Sequence, residues 1–256
     1  DQLLDQPEIN VVYLATPAGM HLRQIKKIAA SGKHILLEKP MALTMEEAHE
    51  IINVTEKAEI KMIVGHSHGF DNPIQRTREF IKTEKFGKLR MLTALNFTDF
   101  MYRPRRRDEL ITEQGGGVVF SQAAHQIDTV RVLGGGLVKS VRANTGDWDL
   151  NRNTEGAYNA LLTFENGVTA TLTYNGYAHF DSDEFMGWTG ELGNKKDPDA
   201  YWQTRDLLYK KTKELSESNL KASKNFGGTN YTPWSSQQTK SFKHQHFGTI
   251  IASCDK

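Results

Sequence analysis

The stretch Gly32-Lys33-His34-Ile35-Leu36-Leu37-Glu38-Lys39-Pro40 decides the fold of this chain. A short apolar run opens after a glycine and stops on an acid, a lysine and a proline, the pattern of a fully buried parallel strand that ends at the mouth of a cleft. Pro40 sets the stop. It has no N–H to continue a sheet ladder, and it biases Lys39 toward extended backbone. Glu38 and Lys39 are therefore expected at the carboxyl end of the strand, the edge where open α/β sheets bind ligands.

Working outward, residues 9–15 are β-rich and end at Thr16-Pro17, and Leu22, Ile25, Ile28 and Ala29 follow at helical spacing. After Pro40, Thr44-Met45-Glu46-Glu47 has the form of a capping box before a stripe of Ala48, Ile51, Ile52 and Thr55. Lys61-Met62-Ile63-Val64-Gly65 makes a third short strand. Residues 9–65 thus read β-α-β-α-β with parallel strands, half of a doubly wound domain. Asp71-Asn72-Pro73 is expected to cap a helix carrying Ile74, Thr77 and Ile81 inward. The period then changes: Leu89, Met91, Leu95 and Phe97 alternate as in a half-buried antiparallel strand. The expected division is 1–68 for the second half of a dinucleotide-binding unit and 69–256 for a substrate and oligomerisation unit.

In the second unit, Ala124, Ile127, Val130 and Arg131 sit at helical spacing before the terminator Gly134 to Gly136. A strand is expected near Val138 to Ala143. Tyr158, Ala160, Leu162 and Phe164 then lead into Glu165-Asn166-Gly167, and Val168, Ala170, Leu172 and Tyr174 leave it. Apolar residues occupy even positions on both sides and must share a face, so the loop holds an odd number of residues; three are predicted, with Gly167 left-handed. From Phe180 to Lys240 the periodicity is weak, with a charged, helix-compatible stretch around Tyr201 to Leu215, and the segment reads as a long excursion. Gly248 to Ala252 is strand-like.

The 256 residues are 38% hydrophobic and 25% charged, an ordinary globular balance, and the formal net charge of +1 gives no electrostatic case for nucleic acid or an anionic membrane. No apolar run approaches the roughly 18 residues of a membrane span. Cys254 is the sole cysteine, which fits a reducing compartment, and a cytoplasmic location is expected. The chain opens on Asp1, reaches a strand pattern by Ile9 and breaks off just after another, as expected for an interior piece of a longer chain.

Thr16-Pro17 with His21, Gly32 through Glu38-Lys39-Pro40, and Gly115-Gly116-Gly117 with His125 and Asp128 closely resemble the Gfo/Idh/MocA family of nicotinamide-dependent oxidoreductases. Within it, Tyr102-Arg103-Pro104-Arg105, the string Gly115 to Val132 and His244-Gln245-His246-Phe247-Gly248 look most like the phthalate 4,5-cis-dihydrodiol dehydrogenase branch. The resemblance implies an incomplete Rossmann domain, parallel and doubly wound, followed by an α/β domain with a large, mostly antiparallel sheet. It also implies NAD or NADP as cofactor, a small-molecule substrate, a homodimer or homotetramer, and no resident metal. The family's glycine-rich phosphate turn and ribose-binding acid are not in this sequence, so the choice between NAD and NADP is not readable.

By that resemblance Lys39 lies beside the nicotinamide and the reacting hydroxyl, where an ammonium stabilises a developing alkoxide or, if desolvated, relays its proton. The alternative is a lysine snorkelling at a strand end. Glu38 matches a position near the nicotinamide ribose, or serves as a partner charge for Lys39; Thr16, Pro17, His21 and Pro40 border the cofactor. His125 is the candidate general base, its ring able to accept a proton near neutrality. The family places an acid four residues earlier to orient it, whereas this chain has Ser121, a hydroxyl. Asp128 matches a position lining the substrate pocket; otherwise it is a helix-surface acid. Arg103 and Arg105 are either part of a solvated basic loop with Arg106 and Arg107 or a clamp for the carboxylates of an aromatic diacid. His66 and His68 are expected to line the cleft. The spacing His66-Ser67-His68 and His244-Gln245-His246 also suits metal ligation, a reading set aside because no cysteine accompanies them and the resembled chemistry is metal-free.

The reaction expected is oxidation of a secondary alcohol, as in a cis-dihydrodiol becoming a catechol, with hydride passing to the nicotinamide. A sugar or polyol dehydrogenase and a non-catalytic dinucleotide-binding regulator are the alternatives.

Overall fold

The computed structural model of the chain describes residues 2–232 and 243–256. Strands β1 (Val11–Leu14), β2 (His34–Leu37) and β3 (Met62–Val64) form a parallel sheet in that order, with Leu14 level with Leu37 and Leu37 with Val64. Helices α1 (His21–Ala30) and α2 (Met45–Lys57) supply the crossovers. Ile25, Ile28 and Ile51 pack with Leu14, Ile35 and Leu37 into a small core. The alternate residues do not: Val11, Tyr13, Leu36 and Ile63 are 56%, 59%, 40% and 62% exposed. The expectation of a fully buried β2 is thus corrected. An unbroken apolar run encodes two apolar faces, and only one of them is covered by these helices.

Thr44 caps α2 by accepting from Glu47 N at 3.1 Å, but the Glu47 carboxylate accepts from Leu43 N, one residue before the position a capping box uses. Asp71 is the N-cap residue of α3 (Asn72–Lys82), yet its carboxylate bonds no helix N–H. It is used elsewhere, as described below.

The second sheet holds β4 (Leu89–Phe97), β5 (Val138–Gly146), β6 (Ala157–Phe164), β7 (Thr169–Asn175) and β8 (Thr249–Cys254) in the order β5-β6-β7-β4-β8. Three of its pairings are antiparallel, while β4 runs parallel to β7. The antiparallel expectation for β4 holds on its β8 side alone, because alternation reports half-burial and not strand direction. In the β6–β7 hairpin, Tyr158 faces Tyr174 and Leu162 faces Ala170. Phe164 N donates to Val168 O, and the three-residue loop ends at Gly167 with φ +86°, as predicted.

Helix α4 (Ala124–Gly134) lies across this sheet, burying Val130 and Leu133 with Leu92, Phe164, Leu172 and Tyr174. Its buried face is not the apolar stripe read from sequence. Ile127 is 38% exposed, and His125, Gln126 and Thr129 are buried. The polar members are bonded: Gln126 Oε1 accepts from the Tyr158 hydroxyl at 2.9 Å, and Thr129 Oγ1 donates to the His125 carbonyl. The long excursion contains α5 (Thr204–Thr212) and α6 (Glu217–Lys224), and residues 233–240 of it lie outside the described part. Among the described residues, no helix is long and apolar enough to cross a membrane.

Candidate active site

The Lys39–Pro40 peptide at the end of β2 is cis. From there Lys39 Nζ donates to the Ser121 carbonyl at 2.9 Å. Ser121 sits in a π turn, Val119–Ala123, which displaces carbonyls from the regular helical ladder and is a frequent device at functional sites. The preceding glycines make the turn's approach feasible. At Gly117, φ is +79° and a side chain would run into the carboxylate of Glu155, which accepts from Val119 N at 3.1 Å and from the Thr112 hydroxyl at 2.7 Å. Between the end of β2 and this turn lies a cleft of about 210 Å³, lined by Thr16, Pro17, Lys39, Pro40, Glu109 and Ser121 among others. Burial holds the Lys39 ammonium below the usual lysine range, and Arg105 adds to that; Glu38, Glu109 and Glu191 oppose it.

Three histidines and two acids gather on the α4 side. His125 is 7% exposed, and its Nδ1 is buried with no partner. Burial, then the positive charges of Lys39, His68 and His66, push its pKa down to about 3. The ring is therefore neutral at ordinary pH and a weak proton acceptor, unlike the neutral-range base expected from sequence. Ser121 does not orient it: the serine contributes its main-chain carbonyl to Lys39, and Nδ1 of His125 stays unbonded. His68 meets His125 edge-on with ring centroids 4.8 Å apart, and Phe247 packs against both rings. His66 Nδ1 lies 3.9 Å from Asp128 Oδ1. Burial lowers the His66 pKa and raises that of Asp128, so Asp128 is part of this cluster and not a free surface acid.

Thr16 and Pro17 border the cleft. His21 does not. It is 1% exposed behind the cleft wall, with Nε2 2.8 Å from Thr16 O and Nδ1 3.2 Å from Met41 O, so it fixes the two loops that form the wall. Glu38 accepts from the Tyr13 hydroxyl at 2.5 Å, and that bond raises the phenol's pKa.

The arginine clamp divides. Arg103 is engaged internally, donating to Asp99 Oδ1 at 2.8 Å and lying 3.6 Å from Glu191 Oε2; the two acids raise its pKa despite burial. Arg106 is held by Asp108 and Glu109. Arg105 differs: its guanidinium stacks 3.5 Å over the Phe100 ring and donates one bond, to Phe100 O, and its Nε is buried unpartnered. Burial lowers its pKa to about 10.

His246 is structural, accepting from Gly248 N and donating from Nε2 to Thr189 O at 2.7 Å. Among the described residues no group of three or more His, Cys, Asp or Glu side chains is placed to hold a metal. Sequence reasoning missed Asp71, Glu109 and Phe247. The sequence marks Asp71 as a helix cap, and its position three residues after His68 is the available signal for its pairing.

Residues 1–66 match the model of an oxidoreductase family with an NAD-binding Rossmann fold, and residues 74–194 match the GFO/IDH/MocA C-terminal domain. Over its whole length the chain is 43% identical to the 1-carboxy-3-chloro-3,4-dihydroxycyclohexa-1,5-diene dehydrogenase of Comamonas testosteroni and covers 64% of that protein. A Bordetella bronchiseptica RB50 protein, provisionally designated a dehydrogenase, superposes with a TM-score of 0.89 at 35% identity, over 99% of this chain and 64% of its own. The scyllo-inositol 2-dehydrogenase (NADP(+)) IolW of Bacillus subtilis (strain 168) is 25% identical over 69% of this chain and 48% of its own. The chain thus spans about two thirds or less of the length of these relatives.

Proposed function

The chain belongs to the GFO/IDH/MocA oxidoreductase family, and we propose that it carries the reaction centre of an NAD(P)-dependent dehydrogenase acting on a secondary alcohol of a carboxylated cyclic cis-dihydrodiol. The observation that carries this reading is the bond from Lys39 to the π turn that leads into α4, which sets an ammonium close enough for its charge to act on His125. The residues there fit the nicotinamide end of the cofactor: Thr16, Pro17, Lys39 and Pro40 come from the carboxyl ends of neighbouring parallel strands, where this class of sheet takes its ligands. When bound, the oxidised nicotinamide supplies the hydride acceptor.

The protein's own part is binding and charge control. Lys39 stabilises the oxygen as its proton leaves, an electrostatic role enlarged by the burial of its ammonium. The imidazole cluster receives that proton, and the carbinol carbon becomes a carbonyl carbon as its hydride departs. Arg105, with an unspent buried donor, binds the substrate carboxylate; Arg103 supports the loop. The carboxylated dihydroxydiene in the Comamonas relative's name supports this substrate class.

The same proposal takes residues 1–68 as the dinucleotide-binding part and 69–256 as the substrate and assembly part. It includes a homodimer or homotetramer formed through the open face of the second sheet, where Met91, Leu161 and Ile251 are exposed, and a cytoplasmic location. The test is a full-length protein supplied with NAD+ or NADP+ and a panel of dihydrodiols, inositols and sugars, followed by absorbance of the reduced nicotinamide. Turnover of carboxylated dihydrodiols supports the proposal. Turnover of inositols or sugars alone assigns a polyol dehydrogenase instead, and dinucleotide binding with no turnover assigns a regulator.

A further inference from the structure

Asp71 stands at the N-cap of α3 but turns its carboxylate onto His68, with Oδ2 2.8 Å from Nδ1. The pair is well enclosed, the side chains being 15% and 7% exposed. Building on the dehydrogenase reading above, we infer that His68, backed by Asp71, is the proton acceptor for the substrate hydroxyl, while His125 holds the substrate oxygen.

An acceptor needs a free ring nitrogen and an anion behind the ring. His68 has both. The bond to Asp71 places the ring proton on Nδ1 and leaves the lone pair on Nε2, an atom with no hydrogen-bond partner among the described residues and not sealed from solvent. When Nε2 gains a proton, the Asp71 carboxylate faces the resulting imidazolium, the arrangement by which a buried acid orients a catalytic histidine. His125 has the reverse surroundings: among the described residues no carboxylate bonds its ring, its Nδ1 is buried without a partner, and burial and the Lys39 charge both disfavour a proton on it.

The other charged groups of the cluster do not alter this ranking. Asp128, from α4, faces His66 and lies over Gly69, where a Cβ would come within 2.6 Å of its carboxylate; Arg131 and Lys39 act on His66. Among the described residues, Asp71 alone is within hydrogen-bond reach of the His68 ring. In the step, the substrate O–H bond breaks as the Nε2–H bond forms, the carbon–oxygen double bond forms, and the carbinol hydride leaves to the cofactor.

Two measurements on the full-length protein test the assignment. The first is an NMR determination of the histidine tautomers without substrate, in which His68 is expected to carry its proton on Nδ1, with Nε2 free, and His125 to stay neutral down to pH ~5. The second is the pH profile of kcat/KM for dihydrodiol oxidation. His68→Gln is expected to lose about 100-fold or more and the acidic limb with it, Asp71→Asn to move that limb to lower pH, and His125→Gln to keep it. If the His68 ring proton sits on Nε2, or if His68→Gln keeps the limb and wild-type turnover, the inference is overturned. Absence of turnover in the wild type, by contrast, removes the dehydrogenase reading itself.

Discussion

Lys39 Nζ and the Ser121 carbonyl are joined by a 2.9 Å hydrogen bond that ties the end of a parallel strand to the turn opening α4. The ammonium is thereby fixed at one point of the crevice before any ligand arrives, and preorganised charge of this kind costs no rearrangement during the reaction.

Replacing Lys39 with Met removes that charge while keeping much of the side chain's volume. The expected result in steady-state kinetics is a fall in kcat of about 10²–10³-fold, the range for losing one preorganised donor. Lys39→Arg is not expected to restore it, because a planar guanidinium cannot present a point charge in the same space.

Arg105→Gln tests the carboxylate site. KM for a carboxylated dihydrodiol is expected to rise by roughly 10–100-fold, the cost of a charged hydrogen bond, with little change for an uncharged diol. An equal effect on both substrates would make Arg105 a structural stack on Phe100 and nothing more.

The depressed pKa of His125 has a consequence for stability. Its folded-state value of about 3 lies below an unfolded value of about 6.5, so between those limits the unfolded chain binds more protons and stability falls as pH drops. This one ring should account for a loss of about 2 kcal/mol between neutral pH and pH 5. Urea unfolding at several pH values should therefore give a shallower acid slope for His125→Gln than for the wild type.

Away from the site, Lys196 is paired with Asp181 and Asp183, which are 1% and 2% exposed. Lys196→Met strands two buried carboxylates at neutral pH, and a loss of about 3–5 kcal/mol is expected from thermal or denaturant unfolding.

The features readable from sequence were those governed by local rules. The β-α-β-α-β order followed from period and punctuation, and the three-residue loop at Gly167 followed from parity, since a two-residue turn would have put Phe164 opposite Thr169. What failed were partnerships set by distant chain. Nothing near β4 says that β7 lies beside it in parallel. The buried face of α4 mixes Val130 and Leu133 with His125, Gln126 and Thr129, and the last two have polar atoms bonded inside the fold, so a search for apolar residues selected the exposed Ile127. Thr16, Pro17 and Lys39 were found because a strand end advertises itself. The separation of Arg103 from Arg105 depends on Asp99, Glu191 and Phe100, and the role of Asp71 on His68, none of which spacing alone could rank.

The most direct measurement is isotope tracing with a carboxylated cis-dihydrodiol deuterated at its carbinol carbons, incubated with the full-length protein and oxidised nicotinamide dinucleotide. Deuterium should appear on the reduced nicotinamide, at a rate that Lys39→Met lowers by about two orders of magnitude or more. Reduced nicotinamide that carries no deuterium, or the same rate with and without Lys39, would contradict the account.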